Sequence, residues 1–250
     1  MATTALSPEL EAMDRFRAAM PVGSRNCGIG DQLCAVGQYR SLKAGEELPV
    51  DPAEDRLVFV ASGVTKLVAK LPMMPGGLLN QNGSTTRLGG KTQVLAFHFP
   101  GDIISVLREA DGDYRVVALE ETDLVVFFSE QFLDVAQEDP AVIRSMIASS
   151  IQALHASRTG MMQLGHKCAG ERVGEFLASM AERLCGCTRG PCEFALPMSR
   201  RDIADSLGLT IETVSRQFAE LRETGLIATE GRSIIRVKQL DTLNRRVECQ

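Results

Sequence analysis

Three polar residues late in the chain have the types and the spacing needed to contact DNA bases. Glu212, Ser215 and Arg216 fall on one side of a predicted helix, while the apolar residues Val214 and Phe218 fall on the other. Arginine can bind guanine O6 and N7, a carboxylate can accept a hydrogen bond from cytosine N4, and serine can reach a neighbouring base. This face therefore suits the DNA major groove; an ordinary solvated helix surface is the alternative interpretation.

The elements that would position these residues are two helices joined by a tight turn. Ser199 is a good N-cap and Asp202 can reach back to the freed amides, so the first helix is predicted to begin at residue 200. Gly208 should end that helix, and Thr210 should cap a second helix that ends near Gly225. The turn is then about three residues long, as helix-turn-helix geometry requires.

A β-hairpin is predicted directly after the second helix. The segment LIATEGRSIIRV has two short apolar runs around Glu230 and Gly231, which makes the domain a winged one. Arg232, Arg236 and Lys238 of this wing are candidates for phosphate contacts, with ordinary solvated arginines as the alternative. The predicted DNA-binding residues are Glu212, Ser215, Arg216, Thr210, Thr213, Ser199, Arg200, Arg201 and Arg232.

The segment LPMSRRDIADSLGLTIETVSR closely resembles the DNA-binding segment of the FNR and FixK branch of the CRP/FNR family of bacterial transcription regulators. A weaker resemblance covers most of residues 38–237. It implies that Glu212, Ser215 and Arg216 read a TTGAT-type half-site. Ile211, in place of the arginine typical of the sibling CRP branch, and Ser215 before Arg216 favour the FNR side. The resemblance also implies promoter DNA, RNA polymerase and a second copy of the chain as partners.

The expected fold class is α+β. We expect an N-terminal extension over residues 1–36 and a β-roll sensor domain of the cyclic-nucleotide-binding type over residues 37–139. A long dimerisation helix over residues 140–165 and a winged helix-turn-helix domain over residues 166–250 should follow. The β-roll is predicted because short β-branched runs between residues 38 and 128 are separated by glycine turns.

Composition indicates a globular cytoplasmic protein. The chain has 250 residues, of which 44% are hydrophobic and 24% charged, and its net charge is −5. This charge does not suit a non-specific nucleic-acid binder, but specific binding needs only local basic groups. No apolar run is long enough for a membrane helix and no signal peptide is recognisable, so we expect no membrane association.

Binding of cAMP is not expected in the β-roll. The family's cyclic-nucleotide site needs a Gly-Glu pair and an Arg-Ser or Arg-Thr pair, whereas the matching segments here read IISV and Tyr114-Arg115-Val116. The acidic partner and the hydroxyl are both missing. Residues 71–90 are rich in Gly, Pro, Asn and Ser and are predicted to form a long flexible loop, whose function the sequence does not reveal.

A long apolar stripe after Pro140 predicts a helix that pairs with a second copy. Packing on the chain's own β-roll is the alternative, and both can hold for one helix. A short linker at Gly165, His166 and Lys167 should separate this helix from the DNA-binding domain. The candidate dimer-interface residues are Ile143, Met146, Ile147, Ile151, Leu154, Arg158 and Met161.

Seven cysteines in a reducing compartment are candidates for metal or redox chemistry. Members of the FNR type bind a four-iron cluster, but only Cys27 and Cys34 lie near the N-terminus, in a predicted loop, and the matching segment TDLVVFF has no cysteine. We therefore do not expect that cluster.

Four later cysteines, Cys168, Cys185, Cys187 and Cys192, form a second group. The last three could hold an iron–sulfur cluster or zinc, or form a reversible disulfide. Exposed thiols in a tolerated insertion are the alternative interpretation.

Together these features predict a homodimeric, sequence-specific transcription regulator, linked to oxygen or redox state, and not an enzyme. No Ser/His/Asp set, paired carboxylates or phosphate-binding glycine loop with recognisable spacing is present. The competing interpretation is a sensor module that binds a small ligand or a metal and acts through protein contacts.

Overall fold

The computed structural model describes residues 7–21, 28–49, 54–70, 92–106, 113–231 and 233–247. Cys27, Arg232 and the predicted loop at residues 71–90 lie outside these ranges. The chain divides into two compact units, Met1–Ala148 and Ser149–Gln250, and the boundary falls within one long helix.

The first unit contains a β-roll with helices at both ends of its sequence. Its helices are α1 (Pro8–Ala19), α2 (Ile29–Val36), α3 (Ser129–Ala136) and the first part of α4 (Pro140–His166). Its strands are β1 (Gln38–Leu42), β2 (Arg56–Ser62), β3 (Thr65–Lys70), β4 (Thr92–His98), β5 (Ile103–Val106), β6 (Asp113–Ala118) and β7 (Thr122–Phe128). They form two antiparallel sheets, ordered β1-β7-β2-β5 and β4-β3-β6. This confirms the predicted all-β core.

Strand β2 is buried on both faces, and the two faces serve different cores. Val58 and Val60 point into the core between the two sheets. Phe59 and Ala61 alternate with them and point to the helices. Because both faces are covered, the strand is apolar along most of its length. The face that carries Phe59 and Ala61 is the one on which the helices pack.

An aromatic cluster fastens the N-terminal helices to the roll. The ring of Phe16 in α1 lies 5.3 Å from that of Phe59 and 4.8 Å from that of Phe127, and Phe132 of α3 completes the group. Arg15 adds a hydrogen bond of 3.0 Å to the carbonyl of Ala61. The first two helices are therefore packed as part of the β-roll core.

One prediction in this region is wrong. The stretch that includes Cys34 was expected to be loop, but residues Ile29–Val36 form helix α2. Ile29 and Leu33 lie one turn apart and are both buried in the core below the aromatic cluster, which stabilises a helix of only eight residues. Its glycine-rich flanks obscured this short apolar repeat.

The second unit contains the remaining helices and a three-stranded sheet. After α4 come α5 (Ala169–Cys185), β8 (Cys192–Ala195), α6 (Arg200–Leu207), α7 (Ile211–Glu223), β9 (Ile227–Glu230), β10 (Ile234–Val237) and α8 (Leu240–Val247). The strand order is β8-β10-β9, with antiparallel pairs. The predicted hairpin is confirmed, while β8 and α8 were not predicted.

The linker between α4 and α5 is shorter than expected. Helix α4 continues through Gly165 and His166, so only Lys167 and Cys168 separate the two helices. A glycine inside a helix costs only about 1 kcal/mol relative to alanine, and neighbouring turns can offset this cost. None of the described helices is long and apolar enough to cross a lipid bilayer.

The turn between β2 and β3 provides a test of the roll. Gly63 has φ +73°, and a Cβ there would lie 2.4 Å from the carbonyl oxygen of Glu121; Gly45 has φ +84° with no such contact. We expect Gly45→Ala to lower the free energy of unfolding by about 1–2 kcal/mol, and Gly63→Ala by about 1–3 kcal/mol more because of overpacking. Equal losses would contradict this account. Urea unfolding can be followed by tyrosine fluorescence, because both tyrosines lie in this unit and tryptophan is absent.

Candidate nucleic-acid interface

The helix pair of the second unit is capped as predicted. The Ser199 amide donates to Asp202 Oδ2 at 3.0 Å, and the Asp202 amide donates to Ser199 Oγ at 3.2 Å. Gly208, with φ +63°, ends α6, and Thr210 Oγ1 accepts from the Thr213 amide at 3.1 Å to begin α7. Three residues therefore separate α6 from α7. These caps fix the direction in which α7 leaves the turn.

Burial divides α7 into two faces. Val214 and Phe218 are buried, together with Ile203 and Ala204 of α6. The opposite face, which includes Glu212, Ser215 and Arg216, is exposed. The packing of the helix pair thus leaves the predicted base-reading residues on the surface.

Glu212 is held in its charged form at the start of α7. Its carboxylate accepts hydrogen bonds from its own backbone N–H and from the Thr210 hydroxyl, and these bonds lower its pKa below the usual value. Among the described residues no carboxylate lies within ion-pair distance of Arg216. One exposed acceptor and one free guanidinium therefore stand on the same surface of α7.

A groove runs beside this surface, between the helix pair and the wing. Arg200, Arg201 and Arg222 supply its cationic side chains, and its polar wall also includes Ser199, Ser215, Thr229, Gly231 and Ser233. Sequence analysis missed Arg222, Thr229 and Ser233. The position of Arg222, one residue after the buried Leu221, could have indicated it, whereas the two wing residues are brought there only by the hairpin.

Two guanidinium groups influence each other in this groove. Arg200 stacks over the Phe218 ring, with its Cζ 3.5 Å from the ring centroid. Burial, and then the neighbouring charge of Arg222, lower the pKa of Arg200. No carboxylate pairs with Arg200 or Arg222 within the described ranges. Adjacent cations without a counter-charge are suited to an anion such as a phosphate.

The wing basic residues differ from one another. Arg236 forms ion pairs with Glu193 and Glu230, at 2.7 Å for the latter, and these partners raise its pKa, Glu193 most strongly. Its guanidinium is thus shared between carboxylates of the two neighbouring strands, and its contact with phosphate stays a prediction. Lys238 is exposed, and the predicted contact Arg232 lies outside the described residues.

Helix α4 carries an exposed apolar stripe. Ile147, Ile151 and Leu154 are 54%, 58% and 51% exposed and lie at i, i+4 and i+7. Ile143 and Met146 instead pack against the core of the β-roll. Arg158 is exposed, and the side chain of Met161 lies outside the described part of the chain. The seven predicted interface residues therefore differ in their surroundings.

Three of the four later cysteines come together. The thiol of Cys185 is within hydrogen-bonding reach of those of Cys187 and Cys192. Cys168 does not join them, because it is the N-cap of α5 and Cys185 is the last residue of that 17-residue helix. No group of three or more His, Cys, Asp or Glu side chains in the described part of the chain is arranged to hold a metal ion.

Two ligand sites that are not expected here, an FNR-type iron–sulfur cluster and a cyclic-nucleotide site, would involve residues of the described β-roll. Cys34 is half-buried and its thiol donates to the carbonyl of Met13, Cys27 lies outside the described residues, and β7 has no cysteine. At the cyclic-nucleotide position β5 carries no carboxylate, and Arg115 forms an ion pair with Glu47 at 3.1 Å.

Comparison with known proteins identifies the class. Residues 171–246 match the Crp-like helix-turn-helix domain. The transcriptional activator protein FnrL of Cereibacter sphaeroides is 32% identical over 198 residues, covering 78% of this chain and 74% of that protein. A probable transcriptional activator of Rhizobium leguminosarum bv. viciae is 30% identical over 94% of this chain and 97% of its own length.

Solved structures agree. FixK2 from Bradyrhizobium japonicum superposes with a TM-score of 0.65 at 30% identity, covering 84% of this chain and 96% of that chain. The chain therefore belongs to the CRP/FNR family of bacterial transcription regulators, in its FNR/FixK-like branch, and carries the family's DNA-binding helix-turn-helix. Members of this family are regulators and not enzymes.

The cationic groove yields a test of stability. Arg200→Ala should lower the free energy of unfolding of the second unit by about 1–2 kcal/mol, because the guanidinium and its stem pack on Phe218. Arg222→Ala should change it by less than about 0.5 kcal/mol, since it removes an exposed side chain and a repulsion. Urea unfolding followed by helical circular dichroism checks this. If Arg222→Ala lowered the free energy of unfolding as much as Arg200→Ala, the stabilising role of the stacking on Phe218 would be refuted.

Proposed function

We propose that this protein acts as a homodimer that binds TTGAT-type palindromes in promoters and regulates transcription in response to oxygen or redox state. One observation supports the DNA-binding part most directly. The exposed face of α7 presents an ionised Glu212 and an Arg216 that has no carboxylate partner among the described residues, beside a groove lined by Arg200, Arg201 and Arg222.

The α7 surface suits direct readout of bases. Glu212 lies in the first turn of α7, and Ser215 and Arg216 follow one turn later. In helix-turn-helix proteins the N-terminal part of the second helix contacts base edges in the major groove. Arg216 is assigned to guanine O6 and N7, Glu212 to cytosine N4, and Ser215 to an adjacent base.

The groove suits the DNA backbone. Arg200, Arg201 and Arg222 would contact phosphates on the flank of the half-site, with the wing residues Thr229 and Ser233 opposite them. The Ser199, Thr210 and Thr213 hydroxyls take part in helix capping, so we assign these three residues mainly to positioning. Phosphate contacts of this kind set the register of α7 and supply affinity that is independent of sequence.

The apolar stripe of α4 supports assembly as a dimer. Ile147, Ile151 and Leu154 are more than half exposed, which is unfavourable for an apolar helix face in water. Pairing with the same stripe of a second copy would cover them. Two copies could then place two α7 helices in half-sites about one DNA turn, or ~34 Å, apart.

The proposed contact with RNA polymerase follows from the relatives. Several similar proteins are named as transcriptional activators or nitrogen-fixation regulators, and activation implies contact with RNA polymerase.

The redox link rests on the cysteines. The chain itself groups three thiols in its DNA-binding unit. Either this group of thiols or an unrecognised pocket of the β-roll is the candidate site for the signal.

The readout assignment is tested with a TTGAT-N4-ATCAA duplex in a gel shift. The parent protein should bind it, and Arg216→Ala should lose about 1–3 kcal/mol of discrimination against a duplex changed at the guanine. Arg201→Ala is the matched control, since it should weaken binding to both duplexes equally. A parent that leaves the palindrome unshifted would favour the sensor module. Full discrimination by Arg216→Ala would show that the helix face is wrongly assigned.

The dimer assignment is tested on α4. Ile151→Glu and Leu154→Glu should each convert the protein to monomers, because an unpaired charge would be buried in the contact between the two α4 helices. Ser149→Glu is the control, as Ser149 is exposed on the opposite side of the same helix. Light scattering measures the mass of each variant. Dimers in both apolar-site variants would count against this surface.

A further inference from the structure

The loop between α5 and β8 brings three cysteine side chains together at the edge of the DNA-binding unit. Cys185 is the last residue of α5, Cys187 follows the left-handed Gly186, and Cys192 is the first residue of β8. The Cys185 thiol donates to the carbonyl of Ala181 at 2.9 Å, and the Cys187 thiol donates to the carbonyl of Cys185 at 3.7 Å. The side chains of Cys185, Cys187 and Cys192 lie close enough to affect one another's ionisation.

The backbone of the loop returns Cys192 to the end of α5. Gly190, with φ +74°, accepts a hydrogen bond from the Leu240 amide at 2.9 Å, and its own amide donates to Asp241 Oδ2 at 3.3 Å. Both contacts fix the loop to the start of α8. Strand pairing then holds Cys192 opposite Val237. The proximity of the thiols is therefore a property of the folded chain and not of the loop alone.

We infer that Cys185 and Cys192 form a reversible dithiol–disulfide site that takes a low-molecular-weight disulfide as its oxidant. Cys185 and Cys192 lie at the two ends of the loop, as the last residue of α5 and the first residue of β8, so a bond between them would close it. Cys185 is also exposed, whereas Cys192 is half-buried. The incoming disulfide can therefore reach Cys185 first, and Cys192 is placed to resolve the intermediate.

The chemistry consists of two exchanges. The Cys185 thiol loses its proton and its sulfur attacks one sulfur of the incoming disulfide, whose other half leaves as a thiolate and takes up a proton. Cys192 then loses its proton and attacks the Cys185 sulfur, which releases the second half as a thiol. In total two protein thiols are oxidised to one disulfide, and the small disulfide is reduced to two thiols.

The surroundings make this a slow site. Burial, and then the charges of Cys185 and Cys187, raise the pKa of Cys192 to about 11. Only a small fraction of this thiol is ionised near neutral pH, so the resolving step is slow there and becomes faster as pH rises toward that pKa. Such a dithiol responds to the standing thiol–disulfide balance, whereas a low-pKa thiol would be needed for a rapid response to peroxide.

Proteolysis makes the bond directly visible. Trypsin cleaves after Arg183, Arg189 and Arg200, so Cys185 and Cys187 lie in peptide 184–189 and Cys192 lies in peptide 190–200. After incubation of the full-length protein with oxidised glutathione, the two peptides should be joined, and dithiothreitol should separate them. A bond confined to peptide 184–189, or glutathione adducts alone, would overturn the inference.

Single variants identify the pair. Cys185→Ser and Cys192→Ser should both abolish the joined peptide, whereas Cys187→Ser should retain it. Cys168→Ser is the matched control, because Cys168 is an exposed cysteine at the opposite end of α5. Loss of the joined peptide in Cys187→Ser together with its retention in Cys185→Ser would show that the assigned pair is wrong.

The bond should also weaken DNA binding, a consequence that rests on the proposed function. To form the bond, the sulfurs of Cys185 and Cys192 must approach to about 2.05 Å, which displaces the end of α5 or the start of β8. Helix α5 packs against α7, and β8 leads within a few residues to the α6 cap.

We expect the oxidised parent protein to bind the palindrome at least about fivefold more weakly than the reduced protein, with no change for Cys192→Ser. Equal loss in both proteins, or no loss in the parent, would overturn the link to DNA. Failure of the reduced parent to bind the palindrome would contradict the proposed function and remove this link with it. The peptide result would still decide the disulfide.

Discussion

The DNA-binding unit depends on one requirement: α7 must bury Val214, Phe218 and Leu221 while its opposite face stays unpaired. The capped turn between α6 and α7 and the stacking of Arg200 over Phe218 satisfy the first half of that requirement. Hydrophobic burial determines which face of the helix packs inward. The caps fix the direction of the helix, because each cap accepts hydrogen bonds from backbone amides that would otherwise lack partners. The groups that face outward contribute nothing to this packing. The exposed side chains of Glu212, Ser215 and Arg216 are therefore accessible to a ligand such as DNA.

Charge in this protein is organised locally. The chain as a whole is acidic, with a net charge of −5, yet Arg200 and Arg222 lie side by side without an acidic partner among the described residues. Arg236, in strand β10 of the wing, by contrast forms ion pairs with Glu193 and Glu230. A repulsive pair of cations lowers the stability of the free protein slightly, and a bound phosphate would relieve the repulsion. The net charge of the chain does not reveal this difference between paired and unpaired arginines.

The β-roll retains the family's fold. Its strand β5 has no carboxylate for a cyclic nucleotide, and its strand β7 has no cysteine for an FNR-type cluster. Its strands β2 and β7 are buried on both faces, between the second sheet and the N-terminal helices. Helix α1 packs through Phe16 against Phe59 and Phe127, and helix α2 packs through Ile29 and Leu33 in the same core, so both helices are part of that core. The three thiols at the end of α5 lie in the DNA-binding unit and not in the β-roll.

The sequence by itself determined the helix-turn-helix, the wing hairpin and the outward face of α7, because caps, left-handed glycines and helical periodicity are local signals that act within a few residues. It also indicated the class, through a motif whose residues lie in one continuous segment. Only the tertiary structure decided the rest. Helix α2 forms because Ile29 and Leu33 find a distant core, β8 exists because β10 offers it a partner, and Arg222 joins the groove because α6 and the wing meet there. The position of Cys168 was also decided by the fold. Cys168 and Cys185 lie at opposite ends of the 17-residue helix α5, so the length of the helix separates their side chains.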